Sequence, residues 1–392
     1  MLRILIGAET FPPDVNGAAR FAGRLAEGLA GRGHEVHVVA PSPDGPARTQ
    51  IIGGVTVHRV ASRRYPSLDA LRVCLPWVAA RTVETVIADI HPDVVHTNGH
   101  LVLGRAVVNG ARRSRLPLIA TNHLMPENIV GYLPLPRMMH ASVGRRLWRD
   151  LGAVYRRADV VTAPTPRAVE LLTTRAGLVG AHAVSNGIDI EHHQPRVHRH
   201  TDRPTMLFVG RLDAEKRVEE LILGLAGLPV ALGARLEVVG DGPQRAALTQ
   251  LAERTGVAHR VAFRGRVSDE QLLRAYSRAD VFCMPSIAEL QSLATLEAMA
   301  SGLPVVAADA MALPHLVEQG VTGFLYEPGN IDDLVTPLAL LLGDTDLRAR
   351  LGATARRSAG RHAFSATLDT FEDFYLEQLG RGRAPVPDGL TA

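Results

Sequence analysis

The 392-residue sequence predicts an α/β protein made of two doubly wound parallel-sheet domains. Three observations carry that prediction. Short apolar runs alternate with helical stretches along nearly the whole chain, the pattern of β-α units and not of hairpins. The alternation stops in a polar stretch, residues 191–204, and restarts at Thr205. The chain is also too long for one ordinary core and suits two. Apolar residues make up 46% and charged residues 21%, which describes a globular chain and not a disordered one.

Residues 2–8, apolar apart from Arg3, are read as a strand buried on both faces. A loop at 9–17 leads into a helix at 18–31. Strands follow at 34–40 and 55–60, with a Pro/Gly/Ser-rich loop at 41–46 after the first. Further strands at 93–97, 118–122 and 159–163 have helical stretches between them. Residues 182–189 close the first domain, 1–190. The four histidines of the linker, 191–204, sit among Pro and Arg and are expected to be solvated, not metal-bound. The second domain, 205–363, has strands at 205–210, 235–240, 260–264, 280–284, 304–308 and 323–326, and a helix at 347–362. An amphipathic helix at 364–380 and a frayed tail at 381–392 complete the chain.

Composition narrows the function. No apolar run approaches the ~18 residues that span a bilayer. The N-terminus runs directly into a strand and lacks the parts of a signal peptide. Two distant cysteines, Cys74 and Cys283, make neither a metal motif nor a disulfide framework, so a cytoplasmic location is expected. A formal charge of only +3 does not argue for nucleic acid.

The stretch 280–304 reads as strand, turn and helix, the helix stopped by Gly302 and Pro304. It places Glu289 and Glu297 eight positions apart, about 12 Å if the span is helical. That is the reach of a nucleotide-sugar from hexose to ribose. Glu289 is read as accepting hydrogen bonds from hexose hydroxyls, and Glu297 from a ribose diol. Between them, free backbone N–H groups of Leu290, Gln291, Ser292 and Leu293 at a helix N-terminus suit a diphosphate. Arg211 and Lys216, after the first strand of the second domain, are placed to hold the same diphosphate. Gly17, at the start of the first helix, lets backbone approach a phosphate or sugar closely. His123 follows a strand end. Asp269 is read either as a helix cap or as a partner for a guanine edge. Arg145, Arg146, Arg149, Arg156 and Arg157 interleave with Leu147, Trp148, Leu151, Val154 and Tyr155, which suits either an anionic membrane surface or a helix packed on the sheet with a solvated basic face. Ser62-Arg63-Arg64-Tyr65 and residues 72–77 would extend that surface.

Glu289-Leu290-Gln291-Ser292-Leu293-Ala294-Thr295-Leu296-Glu297, followed by Ala-Met-Ala-Ser-Gly-Leu-Pro-Val-Val, resembles the signature of the retaining family 4 glycosyltransferases. The resemblance runs from about Leu2 to Phe374. It implies the GT-B fold, two Rossmann-like domains facing each other across a cleft, with the last helix crossing back to the first domain. It implies that Arg211 and Lys216 stabilise the leaving diphosphate, that His123 contacts the donor hexose near its reacting carbon, and that Val267 borders the base. With no Asp-x-Asp at a strand end, no metal or other cofactor is expected. The reading is a hexosyltransferase using UDP-hexose or GDP-mannose and a hydroxyl acceptor, leaning to a lipid and so to peripheral contact with the inner membrane face. A soluble acceptor, or a sugar-nucleotide epimerase of the same fold, are the alternatives. The chain departs from the family pattern at Ala18, where a second glycine is usual, and at His315, after Met311-Ala312 in the place of a Gly-Gly pair.

Overall fold

The computed structural model describes residues 1–14, 16–65, 68–130, 136–193 and 203–382. They form two compact units, one of Met1–Ser185 joined by the chain from Thr367, the other of Asn186–Ala366.

The first unit is laid down as β1 (Arg3–Gly7), α1 (Gly17–Gly31), β2 (Glu35–Pro41), β3 (Arg48–Ile52), β4 (Val55–Val60), β5 (Ser62–Tyr65), β6 (Leu68–Cys74), α2 (Pro76–Ile90), β7 (Val94–Thr97), α3 (Val102–Arg113), β8 (Leu118–Thr121), α4 (Glu127–Val130), α5 (Arg137–Tyr155), β9 (Val160–Ala163), α6 (Pro166–Ala176) and β10 (His182–Ala183). Strands β1, β7 and β8 bury nearly every side chain, as apolar runs sandwiched between helix layers must. Asn16 starts α1 by accepting from Ala19 N at 2.8 Å, and the helix then buries Phe21, Leu25 and Leu29. The sheet order is β10-β9-β8-β7-β1-β2-β4-β3. All its pairs are parallel except β3–β4. The sheet therefore grows one way from β1 through β2, and the other way from β1 through β7. That reversal leaves a crevice at the carboxyl ends of β1 and β7.

The sequence reading lacks β3, β5 and β6. Strand β3 is an edge with mostly exposed residues, and β5–β6 is an antiparallel pair outside the main sheet. The sequences Arg48–Ile52, Ser62–Tyr65 and Leu68–Cys74 are interrupted by polar and charged residues, so none carries the apolar run by which the other strands are legible.

The second unit runs β11 (Thr205–Val209), α7 (Val218–Gly227), β12 (Arg235–Val239), α8 (Arg245–Arg254), β13 (Val261–Gly265), α9 (Asp269–Arg278), β14 (Val281–Met284), α10 (Leu293–Ala300), β15 (Val305–Ala308), β16 (Gly323–Tyr326), α11 (Ile331–Gly343) and α12 (Thr345–Ala359). Its sheet is parallel, in the order β13-β12-β11-β14-β15-β16. Here the reversal lies between β11 and β14.

The last helix, α13 (Phe364–Gly382), lies from Thr367 onward in the first unit. It buries Phe371 and Tyr375 completely. The Tyr375 hydroxyl is 2.7 Å from His96 Nδ1, and Glu372 is 2.7 Å from His34 Nε2.

Of the linker histidines, His193 departs from the expectation of solvation. It is buried, its Nδ1 lies 3.3 Å from Ser301 Oγ, and its ring stands edge-on to Tyr276. His198, His200, the tail beyond 382 and residues 131–135 lie outside the described residues. No helix among the described residues is long and apolar enough to cross a membrane.

Candidate active site

In the second unit the site assembles at the sheet's reversal. The loop after β11 carries Arg211, and a 3-10 turn, Ala214–Lys216, follows it. Behind this loop lies the chain leaving β12. Gly240 has φ 133°, and a Cβ there would stand 1.8 Å from the Gly210 carbonyl oxygen. Only glycine permits that approach. Leu212 N then donates to Asp241 O at 3.0 Å, which fixes the loop. The loop after β14 meets the same turn, since Ile287 N donates to Glu215 O at 3.0 Å. Together these contacts bring Lys216 Nζ onto Glu289 Oε1 as a hydrogen-bonded ion pair, with side chains only 16% and 11% exposed. Arg211, 60% exposed, forms an ion pair with buried Asp213 at 2.8 Å. Its other terminal nitrogen lies 3.7 Å from Glu215.

Glu297 lies on α10. The Tyr276 hydroxyl from α9 donates to its Oε2 at 2.9 Å. Gln291 accepts from Asn186 N at 2.8 Å, so its side chain anchors the start of this unit.

Glu289 and Glu297 do not share one helix, contrary to the helical span expected from their spacing. The helix begins at Leu293, with Ser292 as N-cap accepting from Thr295 N at 3.3 Å. Leu290, Gln291 and Ser292 precede the helix, and Glu289 sits in the loop before it. The eight-residue spacing is thus not a helical rise of about 12 Å. Serine outcompetes its neighbours as a cap because its hydroxyl satisfies an orphan amide. The amides at the helix start are those of Leu293 and Ala294, with Thr295 N taken by the cap. Asp269 is neither cap nor free of a helix. It is the first residue of α9, and Ser268 forms the capping box with Gln271. Val267, just before it, is half-buried against the core. The departure at 311–315 also has a structural counterpart. Met311 holds φ 53°, a left-handed backbone that glycine adopts freely. Ala312 N donates to Glu289 O at 3.1 Å, so this turn braces the Glu289 loop. His315 itself is exposed.

In the first unit, Gly17 is the first residue of α1, and a Cβ there would meet nothing. No packing inside the fold demands glycine at this position. His123 follows β8 with its ring 4.6 Å from that of Phe21. The residue keeps some exposure, but its Nε2 is enclosed and has no partner among the described residues. Burial pushes its pKa down to about 3, so the imidazole is neutral near pH 7.

The sequence reading missed Glu9, Asn98 and His100, at the reversal of the first sheet. The signal was present: Thr97-Asn98-Gly99-His100 and Thr121-Asn122-His123 repeat a Thr-Asn-His pattern after two neighbouring strands. The Glu9 carboxylate accepts from Gly104 N at 2.8 Å and Leu103 N at 3.3 Å, at the start of α3. Burial raises its pKa, and these backbone amides oppose the rise.

A model of group 1 glycosyl transferases matches residues 189–358, and a model of glycosyltransferase family 4 matches residues 15–192. A GDP-mannose-dependent alpha-mannosyltransferase of Mycolicibacterium smegmatis is 33% identical, over 97% of this chain and 98% of that protein. The chain belongs to the family 4, group 1 glycosyltransferases. A second family member, a GDP-mannose-dependent alpha-(1-6)-phosphatidylinositol monomannoside mannosyltransferase of Mycobacterium tuberculosis, is 28% identical over 91% of this chain and 93% of its own length. Sucrose-phosphate synthase from Thermosynechococcus elongatus superposes with a TM-score of 0.78 at 22% identity, covering 97% of this chain and all of that one. The fold is accordingly GT-B, with two Rossmann-like domains. The protein is a nucleotide-sugar-dependent hexosyltransferase. Within this glycosyltransferase the second unit gathers Arg211, Lys216, Glu289, Glu297 and the start of α10 on one side of one sheet. Gly17 and His123 belong to the first unit.

Proposed function

We propose that this glycosyltransferase moves mannose from GDP-mannose to a hydroxyl of a lipid-linked acceptor, with retention of the α configuration. The observation that carries the reading is the end-to-end similarity to GDP-mannose-dependent α-mannosyltransferases. In the proposed reaction the bond from the anomeric carbon to the leaving phosphate breaks while the acceptor oxygen attacks the same face. The acceptor's proton passes to the leaving phosphate oxygen. Arg211, Lys216 and the amides at the start of α10 stabilise the growing charge on the diphosphate. That set of donors supports a reaction that needs no metal. Glu289, held by Lys216, positions the hexose, and Glu297, held by Tyr276, takes the ribose diol. Neutral His123 is available to a hexose hydroxyl. Gly17 leaves open space at the start of α1, and Val267 borders the base.

A lipid acceptor is favoured by α5. Arg145, Arg146 and Arg149 are exposed, and Met138 is 88% exposed at the start of the helix. Cationic and apolar side chains on one helix suit the inner, anionic face of a membrane. A soluble acceptor is the second reading, because Trp148, Leu151, Val154 and Tyr155 are already buried within the fold. One incubation separates them. The full chain is given radiolabelled GDP-mannose, or UDP-glucose, with vesicles of M. smegmatis lipid extract. The expected result is label in the organic phase from GDP-mannose only, released by an α-mannosidase. Transfer from UDP-glucose instead would overturn the donor. Label left wholly in water would overturn the lipid acceptor.

A further inference from the structure

The chain that opens the second unit touches α10 at both of its ends. Before the helix, Asn186 N donates to Gln291 Oε1 at 2.8 Å, one residue ahead of the Ser292 cap. After it, buried His193 stands against Ser301, the residue that closes the last turn, with Nδ1 3.3 Å from Oγ. Arg356 of α12 fastens this corner, its Nη1 donating to His193 O at 2.6 Å and also to Ala300 O. Two routes then lead from His193 to one residue. The Ser301 hydroxyl donates to Glu297 O at 2.9 Å, so it accepts from His193 Nδ1. The His193 ring stands edge-on to Tyr276 with 5.8 Å between centroids, and the Tyr276 hydroxyl donates to Glu297 Oε2 at 2.9 Å.

A glutamate side chain is long and rotates freely, and freezing it when a ligand arrives opposes binding. Neighbours that are themselves packed remove that cost in advance. Tyr276, Ser301 and His193 are all buried, so each is held by the fold as well as by its bonds. A side chain that only filled this corner could be an apolar ring of similar size, with no polar nitrogen to satisfy. The polar ring found there instead reaches the same glutamate by two separate contacts.

We infer that His193 is a positioning residue for donor binding: it holds Glu297 by its carboxylate through Tyr276 and by its backbone through Ser301, in the orientation that accepts from the ribose diol. The role rests on the assignment of Glu297 to the ribose and adds to it the residue that sets the carboxylate. His193 acts through these two neighbours.

The test is isothermal titration calorimetry of the full chain with GDP and with 2′,3′-dideoxy-GDP, which lacks the hydroxyls assigned to Glu297. Wild type should prefer GDP by about tenfold or more, the size expected of hydrogen bonds to a charged acceptor. His193→Ala should weaken GDP severalfold and leave the dideoxy nucleotide unchanged, so the preference narrows. His193→Phe keeps a ring beside Tyr276 and loses the bond to Ser301, and it should narrow the preference in a fold of nearly the same bulk. In Glu297→Ala the preference should already be gone, and adding His193→Ala should change neither affinity. A purely structural histidine would weaken both nucleotides alike. Equal loss for both, an unaltered preference in either histidine variant, or a further loss in the double variant would overturn the positioning role. Wild type that binds the two nucleotides equally, or binds neither, would overturn the ribose assignment itself and the positioning role with it. The first failure shows only in the variants, the second already in wild type.

Discussion

In a Lys216→Met variant the Glu289 carboxylate keeps its burial and loses its counter-ion. Removing one partner of a buried ion pair costs about 3–5 kcal/mol. Both side chains here retain some exposure, 16% and 11%, which lets water screen part of that cost. The expected loss is therefore about 2–3 kcal/mol, or roughly 5–10 °C in the melting of a unit this size. Lys216 is also assigned to the leaving diphosphate, and deleting one such donor lowers kcat by about 10²–10³. The double variant Lys216→Met/Glu289→Leu separates these effects. With both charges gone, melting should return most of the way to wild type, while turnover stays low. The assays are differential scanning calorimetry and GDP release from GDP-mannose. Recovery of turnover together with stability in the double variant would refute the catalytic assignment, because the pair would then be serving the fold alone.

The same geometry makes two further predictions. Glu297→Ala should raise the KM for the donor with kcat little changed, whereas Arg211→Ala should lower kcat with KM little changed. Arg211 is itself exposed but is the counter-ion of buried Asp213, so its loss should also lower the melting temperature, and an unchanged kcat in Arg211→Ala would contradict its role. The second concerns pH. His96, His100 and His123 have folded-state pKa values pushed down to about 3, 4 and 3 by burial. Below the unfolded value of about 6.5, the unfolded chain binds protons that the folded chain refuses, so stability should fall as pH falls. Between about pH 6 and 4 three such groups give a slope of up to about 4 kcal/mol per pH unit. Denaturant titrations of the full chain at several pH values measure it. A flat profile across that window would show that these imidazoles are not buried as neutral groups.

Much of the architecture is legible in the sequence because parallel strands buried on both faces leave continuous apolar runs. Residues 4–7 and 305–308 show this directly. The elements that escape the reading, β3, β5 and β6, lie at an edge or outside the main sheets, where no such run is required. In the site, residue types were legible before their geometry. Glu289 and Lys216 could each be picked out from composition and place, yet neither shows in sequence that it contacts the other. That contact depends on Ile287 N reaching Glu215 O, a backbone bond with no residue signature. The start of α10 was misplaced for a related reason. Leu290 to Leu293 fits a helical pattern as well as residues 294–300 do, and only the Ser292 cap decides the boundary.

The two sheets solve one problem in the same way. A polar side chain at a sheet's reversal must be held without backbone of its own ladder to support it. In the second unit Gly240 lets the β12 exit press against Gly210, so the loop carrying Arg211 and Lys216 has a floor. In the first unit Gly99 lets Glu9 press against the loop carrying Asn98 and His100. In each case a glycine's missing Cβ is filled by another part of the chain, and the neighbouring polar residue gains rigidity. The difference lies in what is left unpaired. The second unit compensates Glu289 with Lys216 and keeps Arg211 largely exposed beside Asp213, a cationic set suited to phosphate. At the first sheet's reversal the buried atoms without a partner among the described residues belong to Asn98, His100 and His123, all neutral near pH 7. That division of charge is the one a transferase needs if its leaving group is a diphosphate and its incoming group an alcohol.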